Sequence, residues 1–312
     1  MSLVSMKYIL DDANARGYGV GAFNVNDLEF AKAVIAAASE ADSPVIIQAS
    51  EGAISYAGLQ PLVAIVRSLA EQASVPVALH LDHGKSFDVI IGCIRHGFTS
   101  VMIDGSHLPF AENVAVTRKI VEIAHAAGVT VEAEIGRLAG IEDNVAVAER
   151  EALLTDPMEA KAFVEQTGCD ALAVAIGTSH GPRKFKGEPI LAIDLVARIK
   201  EQVKLPLVLH GASGVLADLV QNGERYGARW GGAKGIPDDA VVAAIKNGIN
   251  KVNIDTDMRL AFVASIRETL ANRPELLDPR DLLKPAMASI KQVAANKMKL
   301  FDSVGKASGM PR

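Results

Sequence analysis

Cysteine is nearly absent from this 312-residue chain, with Cys93 and Cys169 its only two. Two cysteines cannot build a disulfide framework, and they suit a reducing cytoplasm. Cys93 lies in the apolar run IIGCI and Cys169 just before a candidate strand, so both are expected as small core residues and not as ligands. Aromatics make up 4% of the residues, which leaves Ala, Val, Leu and Ile to fill the core. No apolar run approaches the roughly 20 residues needed to cross a bilayer. The N-terminus lacks the basic segment and apolar stretch of a signal peptide. The net charge of −5 is spread along the chain, without the clustered Lys and Arg of a nucleic-acid surface. The chain therefore reads as cytoplasmic, with neither nucleic acid nor membrane as partner. An anionic ligand would have to find its positive charge locally, in a metal, a Lys, an Arg or backbone N–H groups.

What is present is a regular alternation of short β-rich runs with helical stretches. Candidate strands are 20–25, 44–49, 76–82, 100–105, 130–136, 171–177, 205–211 and 251–255. The segments between them, such as FAENVAVTRKIVEIAHAAG, space apolar residues as one face of a helix and end on Gly128, a sensible C-cap. Strands joined through helices run parallel, and near-continuous apolar strands are buried on both faces. Eight such units match a (β/α)8 TIM barrel forming one domain over 1–312. A doubly wound sheet is the competitor, but no GxGxxG follows the first strand. Two segments exceed a minimal barrel: 136–155 after the fifth strand, long enough to act as a lid, and the Gly-rich 221–237 after the seventh. A C-terminal helix is expected over 284–301.

Function in such a barrel sits at the C-terminal strand ends, and there the unusual polar residues gather. They are Asn24, Gln48, Ser50, Asp82, His83, Asp104, Glu132, Glu134, His180, His210, Asn253, Asp255 and Thr256. Any one of these alone is more simply a solvated strand end; their concentration on one rim is not. His83, His180 and His210 together offer three imidazoles, the number in a catalytic zinc site that keeps its fourth position open. His80, one pleat deeper than Asp82, is the weaker ligand candidate. Adjacent residues on a strand face opposite sides, so Asp82 and His83 are expected to split into base and ligand. Asp104 and Glu134 could orient a liganding imidazole or hold a second cation. HGASG and NIDT, with small residues before helix N-termini, are candidate phosphate cradles.

Five blocks in order resemble the class II fructose-bisphosphate aldolases: HLDHG (80–84), VEAEIGRLAGIEDNV (131–145), AIGTSHG (175–181), VLHGASG (208–214) and KVNIDTDMRLAF (251–262). The resemblance implies a lyase that reversibly cleaves fructose 1,6-bisphosphate to dihydroxyacetone phosphate and glyceraldehyde 3-phosphate through a zinc-stabilised enediolate, in glycolysis and gluconeogenesis. It implies Asp82 as the acid/base at the C4 hydroxyl and Glu142 as the carboxylate that handles the proton on carbon. It implies His83, His180 and His210 as zinc ligands, with Asp104 and Glu134 a second metal position. Gly181, Lys184, Gly211, Ala212, Ser213 and Asn253, Ile254, Asp255 and Thr256 match the dihydroxyacetone-phosphate site, and Ser50 a contact to the aldehyde half. Arg259 and Arg280 match second-phosphate residues, Arg280 from a neighbouring subunit of a homodimer or homotetramer. A monovalent cation, Na+ or K+, is implied near the first phosphate.

Tagatose 1,6-bisphosphate, which differs only in configuration at C4, is the nearest alternative substrate. A zinc hydrolase on a similar barrel would need an HxH pair after the first strand, where FNVND stands instead. A Schiff-base aldolase would need a buried strand lysine; Lys184 and Lys251 read as peripheral.

Overall fold

The computed structural model describes residues 3–136, 154–179, 191–231 and 234–310, and the backbone alone of 139–142, 145–147 and 180. Strands β1 (Val20–Asn24), β2 (Val45–Ser50), β3 (Val77–Gly84), β4 (Ser100–Ile103) and β5 (Thr130–Ile135) appear in chain order. Then come β6 (Ala139–Glu142), β7 (Val145–Val147), β8 (Ala171–Val174), β9 (Ser179–His180), β10 (Leu207–Leu209) and β11 (Ile249–Ile254). Strands β1–β2–β3–β4–β5–β8–β10–β11 close into one barrel, every pair parallel. Strands β6 and β7 form an antiparallel pair that adds β9 in parallel, so the long connection after β5 carries a hairpin of its own.

Helices surround the barrel: α1 (Met6–Arg16), α2 (Leu28–Ala41), α3 (Glu51–Ala57), α4 (Leu59–Gln72), α5 (Phe87–His96) and α6 (Phe110–Ala126). They continue with α7 (Pro157–Thr167), α8 (Ile193–Val203), α9 (Ala217–Arg225), α10 (Asp238–Lys246), α11 (Thr256–Asn272) and α12 (Pro279–Leu300). Local chemistry fixes their ends. Asp27 accepts the Phe30 N–H at 2.9 Å to start α2, and Gly97, at φ 95°, stops α5 in a left-handed turn that favours glycine. The C-terminal helix begins at Pro279, five residues before the expected 284, because Asp278 caps it and proline suits the first helical turn. No single helix among the described residues is long and apolar enough to cross a membrane.

Two apolar layers hold the barrel. The larger packs the outer strand faces against the helices, and both cysteines are buried in it as expected. The smaller lies inside: α1 plugs the N-terminal mouth, setting Met6, Ile9, Leu10 and Ala13 against Ala22, Ile46, Ala78, Ala171, Ala173 and Val208. Above this plug the lumen turns polar, with Gln48, His80, Glu132 and Lys251 all fully buried. The interior is thus not apolar throughout, and the polar tier stands directly under the strand ends.

Strand β3 runs two residues past its expected end, through a register break against β4 between Leu81 and Gly84. A Cβ on Gly84 would press into the Met102 carbonyl oxygen and stand 2.8 Å from Leu81 Cδ2. Replacing Gly84 by Ala is expected to cost about 1–3 kcal/mol, the usual penalty of overpacking, read as a lower urea midpoint; an unchanged midpoint would show that the neighbouring strands give way freely.

Candidate active site

At the mouth opposite α1, side chains from seven barrel strands or the positions just past their ends meet. Asp82 of β3 is almost completely buried and its carboxylate is gripped by three side-chain amides. Asn24 of β1 donates at 2.9 Å and Gln48 of β2 at 3.2 Å to Oδ2, while Asn253 of β11 donates at 3.1 Å to Oδ1. Gln48 also donates to Asn24 Oδ1 at 2.7 Å, so the cradle is tied to itself. These amide orientations follow from the network that they complete.

His83 departs from the alternation expected of a strand. Its φ of 48° is left-handed, a costly conformation for a residue with a Cβ. The twist brings the two neighbours to one place instead of opposite sides of the strand: a ligand atom of each, with one of His210, lies within 4.8 Å of the others. His83 Nε2 and His210 Nδ1 face each other at 2.8 Å, their rings edge to face. The other ring nitrogens are anchored, His83 Nδ1 to Asp104 Oδ2 at 2.9 Å and His210 Nε2 to Glu132 Oε1 at 2.8 Å. A carboxylate behind each imidazole fixes its orientation, as metal-binding histidines require.

The electrostatics follow from burial and these partners. Burial opposes charge on His83, but the Asp82 carboxylate and the Asp104 hydrogen bond outweigh it and raise its pKa well above the usual imidazole value. Burial and the charge on His83 lower His210. Burial, with Lys251 adding to it, holds His80 far below the ordinary range, while its Nδ1 meets Ser100 Oγ at 2.8 Å. Burial works against ionisation of Asp104, yet the bond from His83 and that ring's charge hold it well down. Glu134 goes the other way: burial and the Asp104 charge push it well above the carboxylate range. Its Oε2 is buried without a hydrogen bond among the described residues, 3.9 Å from His83 Nδ1.

Those facts test whether a divalent ion fits. Two buried ring nitrogens aimed at each other at 2.8 Å, each with a carboxylate behind it, are donors set to converge on a cation. An orphaned buried carboxylate oxygen beside them, in the group His83, Asp104 and Glu134, supplies a second set of donors. The residues fit the group.

Lys251 overturns its expected peripheral position. It is wholly buried in β11, with Nζ 3.0 Å from Glu132 Oε2 as an ion pair and donating to Asn253 Oδ1 at 2.7 Å. The strand begins two residues earlier than expected, at Ile249, and so Lys251 and Asn253 share the face that points into the lumen.

Among the other expected residues, His180 is placed by its backbone alone: β9 carries it, and Ser179 O is 2.6 Å from where a Cβ on Gly211 would stand. Strand β9 therefore lies against the loop that follows His210. The Glu142 side chain, Gly181 and Lys184 lie outside the described residues. Gly211, at φ 62°, has neither the room nor the backbone for a side chain. Ala212 and Ser213 are buried behind it, and Ser213 Oγ accepts the Asp255 N–H at 3.2 Å, joining the two expected phosphate loops. Asn253 and Ile254 end β11, Thr256 opens α11, and Arg259 Nε reaches Asp255 Oδ1 at 2.7 Å. Ser50 sits opposite Asp82 in the β2–β3 register and also caps α3. Arg280 is not brought into the cluster: it is exposed at the start of α12, paired with Asp278 at 2.7 Å.

A parallel eight-stranded barrel with a clamped carboxylate beside converging imidazoles defines a TIM-barrel enzyme of acid/base chemistry with a built place for a cation. A family model described as fructose-bisphosphate aldolase class-II matches residues 4–306. A fructose-bisphosphate aldolase of Thermus caldophilus is 54% identical over 98% of this chain and 100% of its own length. One of Helicobacter pylori J99 is 47% identical over 97% of this chain and 99% of its own. The crystal structure of the YdjI aldolase from Escherichia coli K12 matches with a TM-score of 0.80 and 35% identity, over 98% of this chain and 99% of that one. The chain belongs to the class II fructose-bisphosphate aldolase family, lyases of sugar bisphosphates that depend in general on zinc.

The buried Glu132–Lys251 pair generates a test. Replacing Lys251 by Met leaves an uncompensated carboxylate in the lumen, and is expected to lower stability by about 3–5 kcal/mol, measured by urea unfolding. A loss under about 1 kcal/mol would mean that the pair behaves like a solvated one.

Proposed function

We propose that the protein catalyses the reversible cleavage of fructose 1,6-bisphosphate into dihydroxyacetone phosphate and glyceraldehyde 3-phosphate. The observation that carries this reading is the Asp82 carboxylate, held by three amides within reach of the facing His83 and His210 nitrogens. His83 through Nε2, His210 through Nδ1 and His180 would hold the catalytic ion, and Asp104 with Glu134 a second position. Zinc bound there supplies Lewis-acid polarisation of the substrate's C2 carbonyl.

The chain's own residues do the rest. Asp82 accepts the proton of the C4 hydroxyl as the C3–C4 bond breaks, so that the C4 oxygen becomes the aldehyde carbonyl. The electron pair of that bond moves into the C2 carbonyl. Glu142 then delivers a proton to C3, completing dihydroxyacetone phosphate; in condensation both transfers reverse. The amide cradle keeps Asp82 aimed and deprives it of rotational freedom, which serves a base that must meet one particular hydroxyl.

Gly211, Ala212, Ser213 and Asn253 to Thr256, with Gly181 and Lys184, bind the phosphate of the dihydroxyacetone half. Backbone N–H groups and the N-terminus of α11 provide the donors, and an Na+ or K+ ion beside them offsets charge. Ser50 contacts the aldehyde half. Arg259 binds the other phosphate together with Arg280 of a neighbouring subunit, in a homodimer or homotetramer; the exposure of Arg280 supports this. The chain acts as one domain over 1–312 in the reducing cytoplasm, consistent with its two buried, unpaired cysteines. Fructose is preferred over tagatose bisphosphate as substrate, in keeping with the names of the relatives.

Removal of metal with EDTA is expected to abolish cleavage, and zinc to restore it. Full activity after verified metal removal would sink the reading. Changing Asp82 to Ala should lower kcat by about 10²–10⁴-fold, the usual worth of a general acid/base, with zinc content unchanged. Zinc lost from that variant would make Asp82 a ligand instead. A coupled assay on the two ketose bisphosphates, with equal kcat/KM for both, would remove the fructose preference.

A further inference from the structure

The loop after β10 is fastened from below by residues that lie far away in sequence. Asp257, fully buried in the first turn of α11, accepts the Gly214 N–H at 2.9 Å and the Val215 N–H at 2.6 Å through its two carboxylate oxygens. Val215 is held at φ 50°, a left-handed conformation that a β-branched residue adopts only under constraint. Beneath the same carboxylate lies Lys297 of α12, also buried, with Nζ 3.4 Å from Asp257 Oδ2 and 3.0 Å from Asp238 Oδ1. A Cβ on Gly214 would stand 3.2 Å from that ammonium, and a Cβ on Gly235 would run into the Ser213 and Gly214 backbone. The Ile236 N–H closes the packing onto Ser213 O at 3.1 Å. One buried lysine thus joins α10, α11, α12 and the loop.

We propose that Asp257 and Lys297 form a clamp that positions the 211–215 loop to bind the phosphate of the dihydroxyacetone half, making both of them positioning residues; this rests on the reading of that loop as a phosphate cradle. Two physical reasons support it. A phosphate cradle works only if its N–H groups are aimed before the anion arrives. The bidentate carboxylate fixes the loop's far end while leaving its near end, Gly211 to Ser213, facing the cluster. The clamp's carboxylate is itself an anion under an anion site, and in a buried setting that repulsion is poorly screened. Lys297 cancels it. The C-terminal helix therefore acts on substrate affinity from outside the barrel, without touching substrate.

The test uses the full-length, zinc-loaded protein with Lys297→Gln, Lys297→Arg and Asp257→Asn. Steady-state kinetics with fructose 1,6-bisphosphate are compared with native-state hydrogen exchange at the Gly214 and Val215 amides. Lys297→Gln should raise KM about tenfold, a typical size for a coupled contact, with a smaller fall in kcat. Exchange at the two amides should accelerate by a similar factor while the β5 amides stay protected. Lys297→Arg, which keeps the charge, should recover most of the KM. Asp257→Asn, which keeps only one acceptor oxygen, should reproduce the KM and exchange effects should the lysine variant fail to fold.

Wild-type KM and exchange in Lys297→Gln and Asp257→Asn would overturn the clamp, and so would a fall in kcat at constant KM. Gly211→Ala separates the two levels of inference. If it raises KM and the clamp variants do not, the clamp alone fails. If it too leaves KM unchanged, the phosphate cradle fails with it.

Discussion

A carboxylate in the middle of a barrel has no water to turn to, and Glu132 is such a carboxylate. Ionised and alone it would be untenable there. Lys251, equally buried on the far side of the lumen, makes its charge affordable and holds it in the ionised state against the pull of burial. From this pair the site is assembled outward. Glu132 Oε1 takes up the Nε2 end of His210, which leaves Nδ1 as the nitrogen turned towards His83. Lys251 donates to Asn253, and Asn253 in turn donates to Asp82. The ligand candidate and the base candidate are therefore both oriented by one buried ion pair, from opposite ends.

That dependence explains why the polar tier sits where it does. The Ala-rich plug closed by α1 seals the lumen beneath it and keeps the effective dielectric low, so each hydrogen bond in the tier is strong and each unpaired group costly. Buried networks of this kind tolerate no half measures: an amide in the wrong orientation at Asn24, Gln48 or Asn253 would set like against like around Asp82. The strand register enforces the match, with Asn24 beside Gln48 and Gln48 beside His80. Of the left-handed non-glycine residues, His83 and Val215 each lie against a carboxylate that holds them, Asp104 in one case and Asp257 in the other.

The barrel was legible because parallel strands buried on both faces leave an apolar run that repeats, and rim residues follow from where such runs stop. Local alternation then failed at two places. It put Asp82 and His83 on opposite sides, since a left-handed φ at the second residue has no signature in the letters DHG. It put Lys251 outside, since a lysine at the head of KVNID looks like a strand's solvated start. The parity of Lys251 with Asn253, two residues apart, held the signal that both share a face, but only once Asn253 is taken as inward. Asp257 and Lys297 are a different matter. They are forty residues apart on separate helices, and each alone reads as an ordinary helical charge; their pairing is a product of tertiary packing.

Charge bookkeeping links the network to its chemistry. Around the facing imidazoles stand Asp82, Asp104, Glu132 and Glu134, against Lys251 as the one buried lysine paired into them among the described residues. Such an excess of carboxylates would repel a doubly phosphorylated substrate. Against burial, the Asp82 and Asp104 carboxylates raise the pKa of His83, and burial with the Asp104 charge raises that of Glu134. Both groups are among the candidate metal donors, and ligands must be deprotonated to bind a metal. A divalent ion held by these residues would supply positive charge that offsets the carboxylates around it. The arrangement of acids in excess is in this way a reason for a metal and not an obstacle to an anion, because it makes the cation's charge part of the site's balance.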